Sequence, residues 1–206
     1  MLTGQAPIFR SIFGNAWSKL SPVFLKHYAN RPFSRDVVVA EGTMAVELSW
    51  LTRLLAPLLR LSGALVPIEG RDIPVTVSYR SEAGSEAFRF DREFRFPGRE
   101  AYHFRSAMAP VGGNEVIEWM AIGLGWRAAF SYVDDQVRLK HRGYALRVLG
   151  KVIPVPLEIL FGRGEAWEQA LDESTFRMAM TIRHRLFGKV YGYSGTFRIT
   201  EMRLDG

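Results

Sequence analysis

AFRFDREFRF, residues 87–96, alternates with a period of two. Phe88, Phe90, Phe94 and Phe96 fall on one face, and Arg89, Asp91, Glu93 and Arg95 on the other. Successive side chains of an extended strand point to opposite sides. The stretch therefore reads as a strand with one face on an apolar core and the other in water. One residue breaks the apolar face. Arg92 shares it with the four phenylalanines, where an unpaired guanidinium is expensive.

The same period extends outward in both directions. Upstream, Val75, Val77 and Tyr79 alternate with Thr76, Ser78 and Arg80, and Val37–Leu48 forms an earlier, weaker strand interrupted by Gly42. Downstream, Pro97-Gly98 and Gly112-Gly113-Asn114 are turns around a strand marked by Tyr102, Phe104 and Met108. Residues 115–122 and 124–132 follow, and Asp134-Asp135 makes a hairpin turn into 137–149. Pro154 and Pro156 break that run, leaving Leu157–Phe161 as a helical turn, and segments at 167–171, 176–183 and 189–200 close the series. About nine or ten short strands with hairpin connections and no βαβ rhythm point to an antiparallel sheet.

Three stretches are helical instead. Residues 7–30 place Ile8, Phe9, Ile12, Phe13 and Trp17 on one apolar face, and Ser21-Pro22 starts a second helix with proline at its first position. SWLTRLLAPLLRLSGALV, residues 49–66, is the most apolar run. Leu51, Leu54, Leu55, Leu58, Leu61 and Leu65 recur at helical spacing, Ser49 is the expected N-cap, Pro57 an expected kink and Pro67 the stop. Two arginines and a run below about 20 residues argue against a membrane span, leaving a packed helix or a surface anchor. A sheet this long must curl, and an apolar helix in its concavity is the simplest filler. The expected fold is therefore α+β, mainly β: a curved antiparallel sheet, half-barrel or lipocalin-like barrel, on a central apolar helix with N-terminal helices.

The chain has 206 residues, 48% hydrophobic and 23% charged, with a net charge of +6 and no cysteine. One domain over residues 1–206 is the natural reading. The missing cysteines exclude disulfides, thiol catalysis and thiolate metal sites. The N-terminus has no basic start followed by an apolar run, so the cytoplasm is the expected compartment. The charges are scattered, and the outer face of residues 87–96 is mixed in sign, which argues against nucleic acid.

Candidate functional residues are polar side chains on the apolar phase of a strand. Glu118, between Val116 and Met120, is a candidate partner for Arg92; a structural ion pair, an edge bulge and an anion anchor at a pocket mouth all remain open. His141 and His184 fall in phase near strand ends and read either as hydrogen-bonded structural histidines or as general bases. Tyr144 and Tyr193 suit a pocket wall or the core. Four dispersed histidines argue against a metal, and no GxSxG elbow, P-loop or glycosidase-like Glu165–Glu168 pair is formed. No cofactor is expected.

PIFRSIFGNAWSKLSPVFLKHY, RLSGALVPIEGRDIPVTVSYR, FDREFRF, VIEWMAIGLGW and KVYGYSGTF occur in an order and spacing that resemble a bacterial family, domain of unknown function 4166, over about residues 7–199. The resemblance implies standalone domains or neighbours of dehydrogenase-like Rossmann domains, with no activity established for the class. This chain has no GxGxxG after a strand, so no bound nucleotide follows. Three functional expectations stand together: a cavity for a lipid-like or other hydrophobic small molecule; an enzyme or accessory domain of an oxidoreductase using His141, His184 and Glu118; and a protein-interaction domain with a filled core. The partner classes admitted are a hydrophobic small molecule, a peripheral membrane contact and an oxidoreductase.

Overall fold

The computed structural model describes residues 5–63 and 65–205, without the side chains of Leu58, Leu61 and Ser62. Eleven strands form one antiparallel sheet: β1 Val37–Leu48, β2 Gly70–Ser81, β3 Phe88–Phe94, β4 Tyr102–Gly112, β5 Glu115–Trp119, β6 Leu124–Val133, β7 Gln136–Val148, β8 Lys151–Val155, β9 Arg163–Ala170, β10 Thr175–His184 and β11 Gly188–Arg203. The helices are α1 Ile8–Phe13, α2 Pro22–His27, α3 Trp50–Ser62 and α4 Glu158–Phe161. No helix among the described residues is long and apolar enough to cross a membrane.

The sheet closes. Its order is β6-β5-β4-β3-β2-β1-β11-β10-β9-β7, and β7 pairs back onto β6. Ten strands make the barrel, and β8 hangs outside on β7. Closure removes the exposed edges that an open sheet of this length would carry. β8 contains Pro154, which an edge strand tolerates because one side of its ladder is free; the proline that was expected to end the run instead sits in an eleventh strand. Gly42 of β1 lies where a Cβ would overlap the carbonyl oxygen of Thr196, so the pairing of β1 with β11 needs glycine there. The Asp134-Asp135 hairpin forms as expected, with φ of 53° and 57° at the two aspartates.

Strand alternation puts Val38, Met44, Val75, Val77, Phe88, Phe90, Phe94, Phe104, Met108, Phe176 and Phe197 inside. β7 needs a correction to keep doing so. Arg142 has no partner on β6 between the Arg127–Gly143 and Ala128–His141 pairs, a bulge that lets both His141 and Tyr144 stay on the inner side. The bulge also divides β7: residues 136–140 pair with β9, whereas residues 144–148 pair with β8.

The helices sit at the two mouths. α1 and α2 plug the end where β1 begins and β11 finishes, with Phe9 against Phe88 and Phe130, and Phe24 against Tyr132 and Phe176. Full burial of each such phenylalanine contributes roughly 1.5–3 kcal/mol. α3 joins β1 to β2 at the opposite mouth. It is therefore a cover, not a central filler. A helix with its side chains is about 10–12 Å across, and a lumen already lined by strand phenylalanines and methionines leaves no such width. Ser49 caps it as expected, accepting from the Thr52 N–H at 3.2 Å, and the helix runs on through Pro57 as one element. Its inward face is rotated from the expected one. Leu54 is 71% exposed, whereas Thr52 is buried and donates to the Val190 carbonyl at 2.6 Å. The expected apolar positions Leu58 and Leu61 lie outside the described side chains.

Candidate functional site

The lumen is not filled. Beneath α3 lies a cavity of about 330 Å³, walled by Leu55 and Leu59 of α3, Leu124 and Trp126 of β6, Tyr144 and Leu146 of β7, Ile182 of β10 and Phe161 of α4. Glu118 is the one charged side chain among the described residues lining it. A second cavity of about 70 Å³ lies deeper, between β3, β9 and α2, and includes His27, Tyr28, Tyr79, Arg92 and Glu168. Glu118, Trp126, Met180 and Tyr193 line both and form the partition. The arrangement is an apolar chamber whose floor is polar.

The partition is built around Arg92. Its Nη2 donates to Glu118 Oε1 at 2.9 Å and its Nη1 to Ser106 Oγ at 3.0 Å, while Ser106 Oγ donates to the same Oε1 at 2.6 Å. Phe90 and Phe104 lie against the guanidinium at 4.5 and 4.9 Å from their ring centres. Of the three readings open for Arg92, the ion pair with Glu118 is the one formed. Each side chain is only 11% exposed. Buried pairs of this kind give little net stability, but removal of one member leaves an uncompensated charge. The floor thus carries two opposite charges and is neutral overall.

Behind it stands a second polar group. Tyr28 Oη donates to Glu168 Oε2 at 2.6 Å, and His27 Nε2 lies 3.8 Å from Glu168 Oε1. Burial pushes the Glu168 carboxyl up to about 7, against the lowering effects of the Tyr28 hydrogen bond and of Arg92. Burial, helped by Arg92, brings His27 down to about 3. His27 is packed between Tyr28, Tyr79 and Phe176, and its Nδ1 is buried without a hydrogen-bond partner among the described residues. At neutral pH the pair is an uncharged imidazole beside a half-protonated carboxyl. Tyr193, also held up to about 12 by burial, faces the same space.

The expected site residues are not all in one place. Arg92, Glu118 and Tyr193 meet at the partition, and Tyr144 lines the apolar chamber, where its hydroxyl donates to the Gly162 carbonyl at 3.1 Å. His141 stands at the division of β7, where its Nδ1 accepts from Trp126 Nε1 at 3.0 Å. His184 has both nitrogens engaged, Nε2 with the Ile159 carbonyl at 2.8 Å and Nδ1 with the Leu186 N–H at 3.1 Å, and it faces an outer groove. His141, His184 and Glu118 therefore share no cleft. Glu168 and His27 were missed as site residues. A readable signal existed for Glu168, which falls in phase with Gly164, Ala166 and Ala170 on β9. A large acid on a face of small residues is given room there by α2 packing across it. Glu165 points the opposite way, paired with Lys140 in the ladder, as strand alternation requires. No cluster of three or more histidine, aspartate or glutamate side chains fit for a metal occurs among the described residues.

The family model described as a domain of unknown function, DUF4166, matches residues 20–197. The chain belongs to this family. The match runs from Leu20, two residues ahead of α2, into β11, so it takes in both luminal compartments and omits α1. No curated protein matches the chain. Among solved structures, the crystal structure of Rv2717c from M. tuberculosis is similar at 10% identity and a TM-score of 0.39, covering 92% of this chain and 99% of that one.

Proposed function

We propose that this DUF4166 barrel binds an elongated, mainly apolar small molecule with one uncharged polar end. The observation that supports this reading is the chamber of about 330 Å³ whose one charged lining residue among those described, Glu118, is already paired with Arg92. Ligand pockets typically run from about 300 to 1,000 Å³ with apolar walls and a few placed polar groups. Apolar walls offer a guest dispersion contacts that water in the chamber cannot match. The floor favours a hydroxyl, carbonyl or protonated acid over a free carboxylate. Arg92 is already neutralised by Glu118, so an anion would have to displace a hydrogen-bonded partner. Tyr193, on the partition, then supplies a donor to a neutral oxygen. A filled-core interaction domain has no use for the chamber, and the dispersed histidines offer no acid–base centre.

Titration with Nile red, a neutral apolar dye, tests the reading. Saturable fluorescence is expected, with long-chain alcohols displacing the dye more effectively than carboxylates of equal length. Ile182→Trp narrows the chamber from β10 and is expected to weaken binding at least about tenfold while the fold persists by circular dichroism. A displacing ligand at about 100 times its Kd stabilises the protein by about 2.7 kcal/mol. Absence of saturable binding, or equal binding by Ile182→Trp, refutes the reading.

A further inference from the structure

We infer that the α3 mouth of the barrel docks on an anionic membrane surface. Seven large apolar side chains among the described residues are exposed to between 62% and 98%: Trp50 and Leu54 of α3, Ile122 between β5 and β6, Leu149 between β7 and β8, Ile159 and Leu160 of α4, and Leu186 between β10 and β11. All seven lie at this one end, on the tips of five separate connections. Among the described residues, the opposite end, plugged by α1 and α2, carries none exposed to that degree. Isolated exposed leucines are ordinary, whereas a ring of them around one opening marks an interaction surface. The Trp50 and Phe187 rings meet edge to face, which joins α3 to the β10–β11 turn and makes the patch continuous across the rim.

Cations stand immediately behind these tips. Arg163, Arg183 and Lys189 are direct neighbours across β9, β10 and β11 on the outer face, and Arg185 follows in the turn. Like charges placed opposite one another destabilise a sheet. Lys189 is answered by Glu47, but none of the three arginines has a carboxylate within ion-pair distance among the described residues. The groove they line also holds Ile159, Leu186 and the Glu158 carboxylate. Apolar tips ahead of an unpaired cationic row match the layering of a bilayer interface, acyl boundary first and anionic headgroups behind it. A protein partner would need a complementary concave surface to contact five separate tips at once; a deformable lipid surface does not. Ile122 belongs both to the exposed ring and to the chamber wall, so the chamber reaches the docking face. A guest taken from the bilayer enters without crossing water.

Co-sedimentation with vesicles of phosphatidylcholine alone, or mixed equally with phosphatidylglycerol, tests this. Binding is expected to the mixed vesicles only and to weaken as salt is raised. Arg163→Gln, Arg183→Gln and Arg185→Gln should each lower the partition constant about fivefold, and the exposed pair Ile159→Ser with Leu186→Ser should abolish sedimentation. Equal binding to neutral vesicles, wild-type binding by the triple arginine variant, or loss of the arginine effect with the serine pair binding normally overturns the proposal. Failure of the luminal reading is separable: Ile182→Trp removes dye uptake and leaves vesicle binding, whereas the rim variants do the reverse.

Discussion

Glu168→Gln separates the buried acid from every other contribution to stability. The glutamine keeps the size of the side chain and an oxygen to accept from Tyr28, and it removes only the titration. In the folded protein the carboxyl is raised from an ordinary 4.5 to about 7. The folded state therefore holds a proton that the unfolded chain has released, and stability falls as pH rises from about 4.5 to 7 and is level above that. At about 1.36 kcal/mol for each pH unit, the full effect is about 3 kcal/mol. His27 acts with the opposite sign. Its folded value of about 3 lies below the ordinary 6.5, so stability rises with pH between those limits, and the two slopes oppose each other from about 4.5 to 6.5. The wild type should be nearly flat across that window, whereas the variant should show the His27 slope alone. Urea unfolding at a series of pH values measures both. Near pH 4 the two proteins should match to within about 1 kcal/mol, and near pH 8 the variant should be more stable by about 3 kcal/mol. A stability difference that does not change with pH refutes the reading of Glu168 as a buried, raised acid.

Two further substitutions test the frame around it. Arg92→Met should cost about 3–5 kcal/mol in urea unfolding because Glu118 is left charged and buried, and adding Glu118→Leu should recover most of that loss; a single variant as stable as the wild type would contradict the ion pair. Gly42→Ala should lower stability by more than about 2 kcal/mol, since the new methyl meets the Thr196 carbonyl across the β1–β11 seam. Hydrogen exchange should then show faster opening of β1 and β11 than of β3 and β4, and uniform protection would argue against the seam as the affected element.

The strands were legible because their signal is local. Phe88, Phe90, Phe94 and Phe96 declare a face within ten residues, and most of the turns carry a glycine, a proline or an aspartate pair. Arg92 was legible for the same reason, as the polar exception on an apolar phase, and its phase-matched partner Glu118 proved to be 2.9 Å away. What failed was placement over distance. The leucine helix declares an apolar face but not the body it packs on, and the closed sheet left only the mouths available to helices. Glu168 and His27 are 141 positions apart in the chain, on elements whose periods are unrelated, and no local pattern joins them.

The sequence by itself determined which side of each strand faces inward, where the chain turns, and that a charge must be compensated inside. Those properties depend on neighbours one to four residues away and on the fixed geometry of strand and helix. Only the tertiary structure decided that β6 and β7 would close the sheet, that α1 and α2 would plug one mouth while α3 covered the other, and that an apolar chamber would remain above a neutral polar floor. Closure and cavity depend on how the volumes of side chains from ten strands add up in one space, a sum that no segment of the chain contains.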